Sequence, residues 1–316
     1  MLRIALSFLL LVCSPLVLAE VKLLASIKPL QLIAAAVQDG LGSPEVLLPP
    51  GASAHNFALR PSDVRRVQDA RLLYWIGPDM ETFLPRVLQG RNMPSVAVQE
   101  LPDLQLRYFA APAQAGQAAE AASEAHDHDH RPGSLDAHLW LSTVNARRIA
   151  AKMAADLAAL DPANAPRYQE NLRAFETRLD ALDVRLDTEL ADLRGKPFFV
   201  FHEAFDYFEA AHGLRHAGVF SMGSEVQPGA RRVAQMRAQL VAAGAACVFS
   251  EPPVQPRLAQ TLSAGLPVRL AELDPLGTGI KVSARGYEQL LEELAAGMRD
   301  CLADLAAAPA LPGKAG

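Results

Sequence analysis

Two hydrophobic rhythms alternate along this chain. Short apolar runs with no helical period fall at residues 21–27, 44–48, 72–76 and 95–98, and they read as buried strands. Between them, residues 29–38, 61–70 and 79–88 carry apolar positions at helical spacing, with Pro29 and Pro61 suited to a first turn. From 101 to 137 the pattern lapses into an Ala/Gln/Glu-rich stretch and a His/Asp tract, an expected exposed loop. Order returns with a helix at 142–160, striped by Ile149, Met153, Leu157 and Leu160. A second helix is expected over 165–193, where Tyr168, Leu172, Phe175, Leu179, Leu182, Leu186, Leu190 and Leu193 hold one face. At ~1.5 Å per residue it would exceed about 40 Å. The strand rhythm then resumes at 198–201, 215–220, 245–249 and 268–270, with helices at 204–211, 228–243, 256–264 and 285–306.

Strands alternating with helices predict βαβ units on mainly parallel sheets. The fold expected is α/β: two Rossmann-like lobes, each a mainly parallel sheet flanked by helices, joined by one long helix. The divisions are a first lobe at 20–162 with a His/Asp-rich loop at 111–135, a linker helix at 163–194 and a second lobe at 195–316. Ligands of such sheets bind beyond the carboxyl ends of the strands.

Composition changes this picture little. The chain has 316 residues, 50% hydrophobic and 21% charged, with a formal net charge of −5. There is no basic excess or Lys/Arg run, so nucleic acid is not an expected partner. Residues 1–19 stand apart. Arg3 precedes an apolar run ending at Val17-Leu18-Ala19, the pattern of a secretory signal peptide cleaved before Glu20. The run is short and broken by Pro15, which argues against an uncleaved anchor, and Val12 argues against lipid attachment at Cys13. Removing this segment leaves Cys247 and Cys301, and an exported chain favours pairing over two reduced core cysteines.

Histidine supplies the candidate chemistry. His55, His138 and His202 each stand just past an apolar strand or at a loop edge, where an α/β lobe presents ligands. Three imidazoles could hold Zn²⁺ at ~2.0–2.1 Å and leave a fourth position open. Asp274 offers an oxygen, or simply turns the chain as an Asp-Pro dipeptide. His212 and His216, near a helix end, read as structural. Glu203 beside His202 offers an acid/base group without completing a zincin pattern. The tract His126, His128 and His130 reads as an auxiliary metal segment or a solvated loop. Its alternation is loosely similar to a metallo-β-lactamase motif, but the first two histidines are misplaced for it. No nucleophile elbow, phosphate-binding glycine loop or dinucleotide fingerprint is present.

Several motifs jointly carry a resemblance: Pro49-Pro50-Gly51-Ala52-Ser53-Ala54-His55 followed by Arg60-Pro61-Ser62-Asp63, then His138-Leu139-Trp140-Leu141-Ser142, and Asp161-Pro162-Ala163-Asn164 with Tyr168 and Asn171. They continue with Phe201-His202-Glu203-Ala204-Phe205, Glu225-Val226-Gln227-Pro228-Gly229 and Leu273-Asp274-Pro275-Leu276-Gly277. Over nearly all of the mature length the chain resembles the periplasmic zinc-binding proteins of ABC zinc-uptake transporters, metal solute-binding proteins with a rigid helix between lobes. The resemblance implies metal ligands at His55, His138 and His202, a carboxylate ligand position at Asp274, and a disulfide between Cys247 and Cys301. The family's histidine-rich loop falls on 124–130. Some zinc members carry a glutamate before the first histidine; Ala54 stands there, so the fourth ligand is Asp274 or water. Manganese-binding relatives place a carboxylate where this chain has His202, and nitrogen there favours zinc. The implied protein is no enzyme but a high-affinity periplasmic monomer delivering Zn²⁺ to an inner-membrane ABC permease. The alternatives are a secreted zinc-dependent hydrolase and a metal-binding surface adhesin on the same fold.

Overall fold

The computed structural model describes residues 20–109, 133–220, 229–252 and 257–305. The expected signal segment and the tract containing His126, His128 and His130 lie outside them.

The first lobe is built from β1 (Leu23–Ala25), α1 (Lys28–Val37), β2 (Glu45–Val46), α2 (Pro61–Asp69), β3 (Leu72–Trp75), α3 (Pro85–Leu88) and β4 (Ser95–Ala97). Its strands lie in the order β2-β1-β3-β4, all parallel, with Leu24 opposite both Glu45 and Leu73. Strands β1 and β3 are buried throughout, which is why they read as unbroken apolar runs rather than alternating ones. Two long helices follow, α4 (Thr143–Leu160) and α5 (Ala165–Leu190). Ser142 caps α4 by accepting from the Asn145 backbone N–H at 3.3 Å.

The second lobe comprises β5 (Phe198–Val200), α6 (Asp206–His212), β6 (Gly218–Val219), α7 (Ala230–Ala243), β7 (Ala246–Ser250), α8 (Arg257–Ser263), β8 (Val268–Glu272) and α9 (Gly286–Leu302). Its parallel sheet has the order β6-β5-β7-β8, so it repeats the winding of the first. In both sheets the first strand lies between the second and third, and the winding reverses there. The loops beyond the carboxyl ends of those strands form the crevice such sheets offer to ligands.

One contiguous core runs through both lobes. It includes Leu24, Leu73 and Tyr74 of the first sheet and Phe198, Cys247 and Phe249 of the second. Phe175, Leu179, Leu182, Leu186 and Leu190 of α5 join it, as do Tyr287, Leu291 and Met298 of α9. Each large side chain buried this way contributes about 1.5–3 kcal/mol. A smaller cluster, with Phe199, Phe220, Met236, Leu240 and Val248, packs on the second lobe alone. Polar contacts cross between the lobes as well. The Trp140 indole N–H donates to the Pro275 carbonyl at 2.7 Å, and the Tyr207 hydroxyl donates to the Asp136 carbonyl at 2.9 Å. A disulfide joins Cys247 on β7 to Cys301 on α9, with Cα atoms 6.2 Å apart.

Two elements depart from expectation. The helix expected at 79–88 is regular only over Pro85–Leu88, with turns before it. Pro85 has no N–H to give the Glu81 carbonyl, which splits the helix. The long helix is α-helical to Leu190, and Ala191–Leu193 tighten into a 3₁₀ turn. Its 26 α-helical residues span about 39 Å at ~1.5 Å each.

Candidate metal centre

Three loops converge between the lobes. The first leaves β2 through Pro49-Pro50-Gly51, where Gly51 takes φ +77°, a conformation that L side chains rarely adopt. Ser53 then accepts from the backbone N–H groups of His55 and Asn56, each at 3.3 Å, and this turn presents His55. The second loop delivers His138 directly before the buried 3₁₀ turn Leu139–Leu141. The third begins where β5 ends, with His202 two residues past Val200. Among the described residues, these three histidines offer ring nitrogens that lie within 4.8 Å of one another.

Ring centroids are 5.4 Å apart for His55 and His138, 5.4 Å for His55 and His202, and 5.0 Å for His138 and His202. Three imidazoles bound to one tetrahedral ion at ~2.0–2.1 Å put their centroids about 5 Å apart. The rings are also steeply inclined to one another, by 57° to 82°. They surround a point rather than stack.

Two carboxylates orient the rings, Asp136 fully buried and Glu251 partly so. Asp136 Oδ1 accepts from the His138 backbone N–H at 3.0 Å and lies 2.8 Å from His138 Nδ1. Glu251 Oε1 lies 2.7 Å from His202 Nδ1. With Nδ1 occupied, each ring turns Nε2 to a ligand, the usual support for metal-bound histidine. Glu251 arrives because β5 and β7 are neighbours and both end at this crevice. Its signal is the sheet order, which sequence periodicity does not reveal. Asp136 was visible two residues before His138, but nothing in its local pattern marked a role.

Burial and neighbouring charge act differently on the members of the set. Burial pushes His138 well below its ordinary range, aided by His202 and His55, which favours the neutral imidazole that acts as a metal ligand. At His202 burial opposes the charge, but Glu251, Asp136 and Glu203 together outweigh it and raise the ring. Burial pushes the Asp136 carboxyl up to about 7.

Asp274 stands outside the set of mutually close donors. Its Oδ1 accepts from the backbone N–H groups of Leu276 and Gly277 at 2.9 and 3.0 Å, and Oδ2 from the Thr278 N–H and hydroxyl at 2.7 and 2.6 Å. Four hydrogen bonds fill the acceptor capacity of a carboxylate. The Asp-Pro turn is how the structure uses this residue. His212 is buried, bonded to Asp187 of α5 at 2.9 Å and packed against Phe208. His216 differs: it lies close to Glu203 and Asp206 in a second group of donors.

With this geometry in place, comparison with known proteins decides the family. A family model described as zinc-uptake complex component A, periplasmic, matches residues 23–301. The chain belongs to that family. Within the zinc-uptake family, the high-affinity zinc uptake system protein ZnuA of Yersinia pestis is 39% identical over 301 residues, covering 93% of this chain and 95% of the relative. The protein of the same name from Brucella abortus (strain 2308) is 35% identical over 302 residues, covering 88% and 90%. A solved crystal structure of ZnuA superposes with a TM-score of 0.74 at 23% identity, covering 90% of this chain and all of that one. That likeness concerns the fold: two parallel α/β sheets with a long helix. Zinc-uptake proteins serve transport, and among the described residues no helix is long and apolar enough to cross a membrane.

Proposed function

We propose that this chain captures Zn²⁺ in the periplasm with high affinity and delivers it, as a monomer, to the permease of an inner-membrane ABC importer. The observation that carries the reading is the ring of three inclined imidazoles, two of them steered by carboxylates. His55 and His138 come from the first lobe and His202 from the second, so the ion is gripped between them. Zinc is cargo here. The all-nitrogen protein donor set favours Zn²⁺ over Mn²⁺, which prefers oxygen. Water completes the coordination, since the oxygens of Asp274 are already engaged in its turn. The names of the relatives support zinc as the ion.

A crystal structure of the zinc-loaded chain, with an anomalous map at the zinc edge, tests this directly. One strong peak is expected at ~2.0–2.1 Å from a nitrogen of each histidine. A peak elsewhere, or a ligand oxygen from Asp274 in place of water, refutes the assignment in whole or in part. His138→Ala is expected to abolish tight binding, while Asp274→Asn changes affinity less than about tenfold.

A further inference from the structure

A second constellation of donors lies on the same loop as His202. Glu203, Asp206 and His216 each offer a ligand atom within 4.8 Å of the others, and all three are half-buried. Glu203 directly follows His202, Asp206 opens α6, and His216 follows the end of that helix at Gly213, where φ is +68°. The helix and its return bring the three together although the chain between them runs 203 to 216.

His216 is prepared as the other two ligand rings are. Its Nδ1 lies 2.9 Å from Glu209 Oε1, and its backbone N–H donates to Glu209 Oε2 at 2.9 Å. Glu209 is almost fully buried and stands one helical turn after Asp206, so it fixes the ring and leaves Nε2 as the ligand nitrogen. The carboxylates of Glu203 and Asp206 crowd one another in a partly desolvated setting. Glu209 and Asp136 add negative potential at Asp206, which Arg107 and His216 only partly offset. A divalent cation relieves that repulsion directly.

We propose that Glu203, Asp206 and His216 form a second transition-metal site, distinct from the three-histidine centre and weaker than it. Zn²⁺ accepts carboxylate as well as imidazole ligands, so this set can hold it, with less selectivity over Mn²⁺ than three imidazoles give, and the half-exposed setting leaves the remaining positions to water. Movements of about 1 Å bring donors at these separations to coordination distance. The site lies one residue from the primary ligand His202, so zinc held there is held beside the main centre.

Zinc titration of the full chain, alone and as Asp206→Asn and His216→Gln, tests the assignment. Both variants are expected to bind one equivalent fewer than the wild type and to retain the tightest equivalent, which also certifies their fold. Equivalents bound at residues 126–130 are common to all three chains and cancel. Variants binding as many ions as the wild type, or losing the tightest ion instead, overturn the proposal. Zinc-soaked wild-type crystals provide a check that needs no variant: an anomalous peak among Glu203, Asp206 and His216 is expected, and its absence overturns the site.

Discussion

Asp136 is sealed from solvent, and its Oδ2 has no hydrogen-bond partner among the described residues, while Oδ1 alone holds His138. Losing such a support frees the ring to rotate away from the ion. Asp136→Ala is expected to weaken zinc binding about 10–100-fold, with Asp136→Asn milder because it keeps an acceptor oxygen; competition with a chromophoric chelator reads both. Glu81 poses a different problem. It is fully buried, and burial pushes its carboxyl up to about 7 although Ser26, Ile76 and Gly77 all donate to it. Its unfolded value is 4.5, so between 4.5 and about 7 the folded chain holds a proton that the unfolded chain has released. Stability from this group is therefore present at low pH and falls as pH rises through that window, by about 3 kcal/mol in all. Thermal unfolding of the metal-free chain from about pH 5 to about pH 8 should show this decline, and Glu81→Gln should flatten it. Asp136 adds a decline of the same sign, which the variant leaves in place.

At the scale of elements, α5 is held by ion pairs of unequal worth. Arg178 pairs with Glu288 of α9, whose side chain is 3% exposed, and donates to the Ala284 carbonyl at 2.7 Å. Arg185 pairs with Glu292 where both are over 40% exposed. Arg178→Met strands a buried carboxylate and is expected to cost about 3–5 kcal/mol in denaturant unfolding. Arg185→Met is expected to cost under about 1 kcal/mol, and equal losses would contradict this account. The helix itself was plain in the spacing of Tyr168 through Leu190, because a face that packs against both lobes is apolar over its whole length. Helix α3 was not, since Asp79–Leu88 shows helical spacing and only the missing N–H of Pro85 breaks it. The candidate site divides the same way. His55, His138 and His202 were legible from their places after strands together with the family motifs. Glu251 reaches the site through the adjacency of β5 and β7, a property of sheet order. His216 looked like an ordinary helix-end histidine until α6 folded it back toward Glu203.

Across the whole molecule, the shared core and α5 tie the lobes together, and a hinge opening would expose apolar surface of both. Zinc release is therefore expected through movement of the loops bearing His55, His138 and His202. Solution scattering should give nearly the same radius of gyration with and without zinc; a large expansion on metal removal would contradict it. The disulfide reinforces the second lobe, closing a loop with a sequence separation of 54, worth about 4 kcal/mol in the chain-entropy model. Trp140 sits at the seam between these parts. Its ring centroid is 5.3 Å from that of His138, and its indole N–H bonds the opposite lobe at Pro275. The same imidazole that changes electronic character when it takes up an ion lies against a fluorophore, so tryptophan emission is expected to change on zinc binding, and a Trp75→Phe background isolates the signal of Trp140.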